Sequence, residues 1–212
     1  QTYSIGNSHF WLGVLQRVDI LKQGGEMAVW ERHVAPLISD QKPNIKSLAN
    51  TAFTEMLNNA LDHSQAQQVA MGVHVHDGHL QMVVADDGVG IFGKITESAH
   101  LFDPRLAILE LAKGKFTTAP EGHSGMGIFI SSRMMDGFAI ESCGLRFDPH
   151  ETKQPLPAFD WIDVATCLKP LGARTVLRMD IALNSTRTPN DVYLKYFEPN
   201  EVGSEAFHTT EI

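Results

Sequence analysis

The run VAMGVHVHDGHLQMVVADD, residues 69–87, constrains this chain more than any other stretch. Val69, Met71, Val73 and Val75 fall on one side of an alternating segment, Asp77-Gly78 supplies a two-residue turn, and Leu80 to Ala85 returns as a second strand. A two-stranded ribbon with an apolar face does not stand alone in water. It needs further strands and a covering layer. The cover lies just upstream, where residues 45–64 read as a helix with Phe53, Met56, Leu57, Ala60 and Leu61 in an apolar stripe. Beside that stripe Glu55, Asn59 and Asp62 stand at i, i+4 and i+7, so a carboxylate, an amide and a second carboxylate share one neighbouring face. Either a solvated edge or a ligand accounts for them.

The flanking sequence extends this unit. Residues 8–23 and 26–39 read as helices separated by Gly24-Gly25. After the hairpin comes DDGVGIF, residues 86–92, then a polar segment and a helix over 104–113. The loop GKFTTAPEGHSGMG leads into a further helix at Gly127. Residues 138–146 and 175–183 read as antiparallel strands, with a Pro-rich excursion between them that carries a candidate strand at 161–168. Beyond Asn184, Ser, Thr, Pro and Asn cluster as in a linker or the edge of a downstream domain. The expected class is α+β, a two-layer sandwich with helices on one face of a mixed, mainly antiparallel sheet. Three parts follow: an N-terminal helical extension over 1–44, a central domain over 45–183, and a tail over 184–212.

Composition excludes several functions. With 17 Lys and Arg against 25 Asp and Glu, the formal charge of -8 leaves no cationic excess for a phosphate backbone, so direct nucleic-acid binding is not expected. Cys143 and Cys167 are distant and lack a CxxC pattern, which argues against zinc or a disulfide framework and suits a reducing cytoplasm. No apolar run reaches membrane-span length and no signal peptide opens the chain; its start at Gln1 fits an excised or processed segment.

Two glycine patterns follow the polar helix. Asp86, Gly88 and Gly90 form D-x-G-x-G at a strand end, and Gly122, Gly125 and Gly127 form G-x-x-G-x-G just before a helix. The second pattern suits an anion, because glycines allow close backbone approach and helix N-terminal amides donate to it. It lacks both the βαβ setting of a dinucleotide fingerprint and the Lys-Ser/Thr of a Walker loop. In order, E-x-x-x-N-x-x-D, D-x-G-x-G, G-x-x-G-x-G and Gly-Ala-Arg-Thr-Val at 172–176 resemble the GHKL ATPase superfamily of gyrase, heat-shock chaperone, histidine kinase and mismatch-repair ATPases, over about residues 45–183. The SGMG loop with GIFISSRMMDGF looks most like the anti-sigma-factor serine kinases and related stand-alone bacterial regulatory ATPases. NNALDHS and LAKGKFTT also resemble a bacterial group in which this domain is often flanked by winged-helix and STAS-like domains.

The resemblance implies ATP and Mg²⁺ as cofactors and assigns residues to them. Glu55 matches the general base and Asn59 the Mg²⁺ ligand, an amide oxygen being a hard donor. Asp86 matches the acceptor for the adenine amino group, Gly88, Gly90 and Ile91 line the base, and Thr175 supplies a hydroxyl near it. Asn58 and Asp62 brace the pocket or face water. Residues 91–121 correspond to an ATP lid, in which Lys113, Lys115, Thr117 and Thr118 meet the phosphates or stay solvated. Gly122, His123, Ser124, Gly125, Met126 and Gly127 form the phosphate loop.

Rival readings remain beside it. His74, His76 and His79 invite a metal, yet two exposed histidines beside a turn need none. ERHVAPL suggests a phosphoacceptor at His33, but only 22 residues separate it from Glu55, too few for a dimerisation hairpin. The expected function is a Mg-ATP-binding regulatory domain with slow hydrolysis or phosphotransfer to a Ser or Thr. The alternative is a non-hydrolysing, ATP-gated interaction switch in bacterial transcription or signalling. Expected partners are ATP or ADP, a protein regulator or flanking domain, and a second copy in a homodimer, with no membrane contact.

Overall fold

The computed structural model describes residues 2–5, 8–113, 127–149 and 171–196. Among the described residues seven strands form one sheet: β1 (Thr2–Ile5), β2 (Ser8–Gln16), β3 (Gln68–His76), β4 (His79–Asp86), β5 (Gly137–Ser142), β6 (Leu145–Phe147) and β7 (Thr175–Ala182). Their spatial order is β1-β2-β3-β4-β7-β5-β6 and every pairing is antiparallel. The β3–β4 hairpin turns at Asp77-Gly78 with both residues left-handed, as the sequence requires.

The helical layer comprises α1 (Arg17–Lys22), α2 (Gly25–Val29), α3 (Pro43–His63), α4 (Ile91–Ser98), α5 (Leu106–Lys113), α6 (Gly127–Met134) and α7 (Pro189–Tyr196). Beyond α2 the chain continues through a π turn at Trp30–Val34 and a 3₁₀ turn at Ala35–Ile38. Helix α3 starts with proline in its first turn, where the missing N–H costs nothing. Its Ile45, Leu48, Phe53, Leu57 and Leu61 are buried in one cluster with Val73, Met82, Leu177 and Met179 of the sheet. A small second cluster of Ala70, Val83, Ala85 and Leu171 lies on the other face. The two-layer α+β expectation is met.

Several elements differ from the sequence reading. Residues 8–16 are a strand rather than a helix, paired with β3 from His9–Val75 to Gln16–Gln68. Trp11 and Leu15 satisfy helical and strand spacing alike, and the open backbone edge of β3 decides between them. A Cβ on Gly13 would lie 2.8 Å from the Trp11 ring, so the glycine leaves room for an indole lying along the strand. Residues 138–146 are a hairpin rather than one strand, because Cys143-Gly144 turns with both φ values positive. Ile91 opens helix α4, where only a polar segment was expected.

Beyond Asn184, residues Pro189–Tyr196 form α7, which packs on α3 and α6. Val192 is buried, Tyr196 meets Phe129 edge-on at 5.6 Å, and Arg133 lies over both rings. The approach to α7 is tied by Asn44 Nδ2, which donates to the carbonyls of Ser185 and Arg187 at 3.0 and 2.8 Å, and by the Arg187–Asp136 ion pair. Asn44→Ala is therefore expected to lower stability by about 1–2 kcal/mol, read as a lower urea midpoint. An unchanged midpoint would mean that these two bonds do not hold the segment.

Candidate functional site

One end of the site is built where β4 runs out beside the C-terminus of α3. Asp86 pairs with Thr175 across β4 and β7, and Thr175 pairs with Ser142 across β7 and β5. The three side chains therefore form a polar row across adjacent strands, at 5, 8 and 3% exposure respectively. The Gly88 amide donates to Asp86 Oδ1 at 3.0 Å. Burial pushes the Asp86 carboxyl up to about 6, with Asp87 adding to the rise, while the bonds from Gly88 and the Thr175 hydroxyl pull the other way.

The glycines of DDGVG are dictated by close approach. A Cβ on Gly88 would sit 2.1 Å from the Ser64 carbonyl oxygen, and the neighbouring Val89 amide donates to that same oxygen at 2.8 Å. Gly90 has φ +86, and a Cβ there would come within 2.8 Å of Cys143 Sγ and 3.0 Å of Ser142 Oγ. Asp87 does not face the row. Its Oδ1 accepts from the Gln67 and Gln68 amides at 2.8 and 3.0 Å, anchoring the turn to the start of β3. Ile91 is half-buried against the core, and Lys94 of α4 caps α3 through the His63 carbonyl.

The other end lies earlier on α3. A Cβ on Gly127 would fall 2.5 Å from Glu55 Oε2 and 3.9 Å from Asn59 Nδ2, so the N-terminus of α6 abuts both residues. The free amides that open a helix thus lie beside a carboxylate and an amide separated by one turn. Glu55 and Ser64 are nine residues apart on or at the end of α3, about 13 Å along its axis. The helix is the rail that joins the two ends.

The structure thus brings Glu55, Asn59 and Gly127 together, and separately Asp86, Gly88, Gly90 and Thr175. Asn58 is half-buried and Asp62 exposed. Lys113 is on the surface, paired with Glu110 at 2.5 Å one turn away. Lys115, Thr117, Thr118, Gly122, His123, Ser124, Gly125 and Met126 lie outside the described residues, as do Cys167 and the expected strand at 161–168.

Sequence reasoning missed two residues here. Ser142 shows no motif of its own, and only strand register reveals it. Tyr193 of α7 is half-buried, and its phenol is raised by burial and further by the negative charge of Glu55, which places it within electrostatic reach of that carboxylate.

The histidines of the rival readings make contacts of their own. His74 and His76 stack at 4.3 Å, His76 bonds Gln81, and His79 bonds the buried Asp180 at 3.0 Å. Among the described residues no group of three His, Cys, Asp or Glu could hold a metal ion. His33 stacks flat on Trp11 at 4.5 Å, and burial lowers its pKa. The surface depression beside Asp77, His79 and Leu183 lies at the opposite end of β4 from Asp86. Among the described residues no helix is long and apolar enough to cross a membrane.

Comparison with known proteins adds an independent observation. Residues 41–151 match the family model described as the histidine kinase-like ATPase domain. Two bacterial proteins named anti-sigma F factor are similar to the chain. One, from Geobacillus thermodenitrificans, is 31% identical over 116 residues, covering 51% of this chain and 70% of its own. The other, from Geobacillus stearothermophilus, is 30% identical over 105 residues, covering 49% of this chain and 62% of its own. Both the α3 polar face and the row at Asp86 and Ser142 fall inside the matched stretch, whereas Thr175 and α7 lie beyond it.

Proposed function

The chain belongs to the histidine kinase-like ATPase domain family, and from that premise we propose that it is a Mg-ATP-binding regulatory domain that slowly transfers the γ-phosphoryl group to water or to a Ser or Thr hydroxyl. The observation that carries this reading is the convergence of Glu55, Asn59 and the N-terminal turn of α6 around the space left by the missing Gly127 side chain. A cradle of that kind suits phosphates: helix amides donate, and the absent Cβ lets backbone approach.

Asp86, with Gly88 and Gly90 clearing the way, holds the base by accepting from an exocyclic amino group. Thr175 lies beside it on the same floor. At the other end Asn59 fits a magnesium ligand, since its amide is half-buried and adjoins the cradle, and the ion would neutralise phosphate charge. Glu55 accepts the proton of the attacking hydroxyl as its oxygen bonds to the γ-phosphorus. The bond from that phosphorus to the bridging oxygen breaks, and ADP leaves with the electron pair. Residues 91–113, the described part of the proposed lid, rest on α3 through Lys94.

Similarity to proteins named anti-sigma F factor supports a protein partner in bacterial transcriptional regulation. The cytoplasm is the proposed compartment, and a homodimer the proposed assembly. The test of the site is titration with ATP in the presence and absence of Mg²⁺. Asn59→Ala is expected to weaken Mg-ATP about ten-fold while leaving Mg²⁺-free binding little changed. Equal Mg²⁺ dependence in the two proteins would remove Asn59 from the site.

A further inference from the structure

The row Asp86, Thr175, Ser142 contains one more hydroxyl than recognition of a base by Asp86 and Thr175 requires. Ser142 is almost fully buried, aligned with Thr175 by strand register, and lies where any side chain on Gly90 would collide with it. A buried hydroxyl at such a place needs a partner. Two are in reach: Cys143 Sγ at 3.9 Å and Thr175 Oγ1 at 3.4 Å. Sulfur is a weak acceptor, so the threonine oxygen is the better one.

The direction of that bond follows from counting protons. Thr175 has a single hydroxyl proton, and Asp86, when ionised, can only accept. Thr175 donates to Asp86, so it has no second proton to offer Ser142. Ser142 must then be the donor, and the row runs Ser142 to Thr175 to Asp86. With that proton committed, the side-chain oxygens in the row offer only lone pairs. At position 6 they match an amino group, which brings two donors, and oppose an oxo group, which brings only lone pairs.

We propose that Ser142 is the specificity-determining residue of the base pocket: by donating to Thr175 it fixes the Thr175 proton on Asp86, and the pocket thereby selects a 6-amino over a 6-oxo purine. This rests on the nucleotide reading above and deepens it. Without the Ser142 proton, the Thr175 hydroxyl is free to turn and donate to a 6-oxo group. At 3.4 Å the contact is long for a hydroxyl pair, so its loss shifts selectivity without emptying the pocket.

The experiment is calorimetric titration of the chain with ADP and with GDP, each with Mg²⁺. Ser142→Ala is expected to narrow the ADP-to-GDP preference by roughly three- to ten-fold with the melting temperature little changed. Ser142→Thr, which keeps the hydroxyl, is expected to restore the preference. Ser142→Cys, which replaces it with a poor donor of similar size, is expected to behave as the alanine variant and guards against a packing artefact. Asp86→Asn is titrated in parallel. An unchanged ADP-to-GDP ratio in Ser142→Ala beside weakened ADP binding in Asp86→Asn overturns the role of Ser142 and leaves the pocket standing. Unchanged ADP affinity in Asp86→Asn overturns the pocket and this inference with it.

Discussion

Asp86→Asn is expected to weaken ADP roughly 10- to 100-fold and, at pH 8, to make the empty protein more stable. The two effects share one cause. The Asp86 carboxyl is buried at the end of β4, and its pKa of about 6 lies well above the usual 3.8. Keeping it ionised in the empty pocket therefore costs about 3 kcal/mol at pH 8, a penalty the neutral amide avoids. Ligand binding has the opposite preference. A charged acceptor makes a stronger bond to an amino group than a neutral amide does, by about 1.5–3 kcal/mol.

The pH dependence follows with two signs. Because the folded pKa exceeds the unfolded one, the stability contributed by protonated Asp86 is complete below about 4 and is lost as pH rises through about 6. ADP affinity runs the other way, rising with pH across the same upper limit as the carboxylate forms. Titrations at pH 5, 6, 7 and 8 check it, the wild type showing a rise that Asp86→Asn lacks. A flat wild-type profile would separate Asp86 from the ligand.

The parts of this fold that were legible in the sequence are those whose cause is local. The α3 stripe and the β3–β4 alternation each span several periods of one pattern, and Asp77-Gly78 names its own turn. Glu55 and Asn59 were legible because a helix face places them together, and Asp86 because glycines that avoid Ser64 and Ser142 leave a readable spacing. What escaped depends on distant partners. Strand β2 exists because β3 offers it an edge some 60 residues downstream, and α7 is a short polar helix held by Asn44, Asp136 and Arg133. Ser142 acquires its meaning only when β7, 33 residues on, brings Thr175 beside it. Tertiary pairing overrides propensity in each case.

Glu55→Gln is expected to cut release of ADP and phosphate from Mg-ATP by about 10²- to 10⁴-fold while ATP affinity stays within a few-fold of wild type. Glu55 is exposed on the polar face of α3, and its Oε2 occupies the space beside Gly127. Removing its charge disturbs neither the apolar stripe nor the base end of the site, about 13 Å away along the helix. What is lost is the proton acceptor. Gly127→Ala provides a second line on the same point, because its Cβ would lie 2.5 Å from Oε2 and push the Glu55 side chain aside. It is expected to reduce turnover in the same direction with the fold kept, as judged by an unchanged melting temperature. Turnover that survives both substitutions would move the base elsewhere. Tight ATP binding with no ADP released by the wild type, with or without candidate protein acceptors, would assign the chain to the other class, a switch read through nucleotide occupancy.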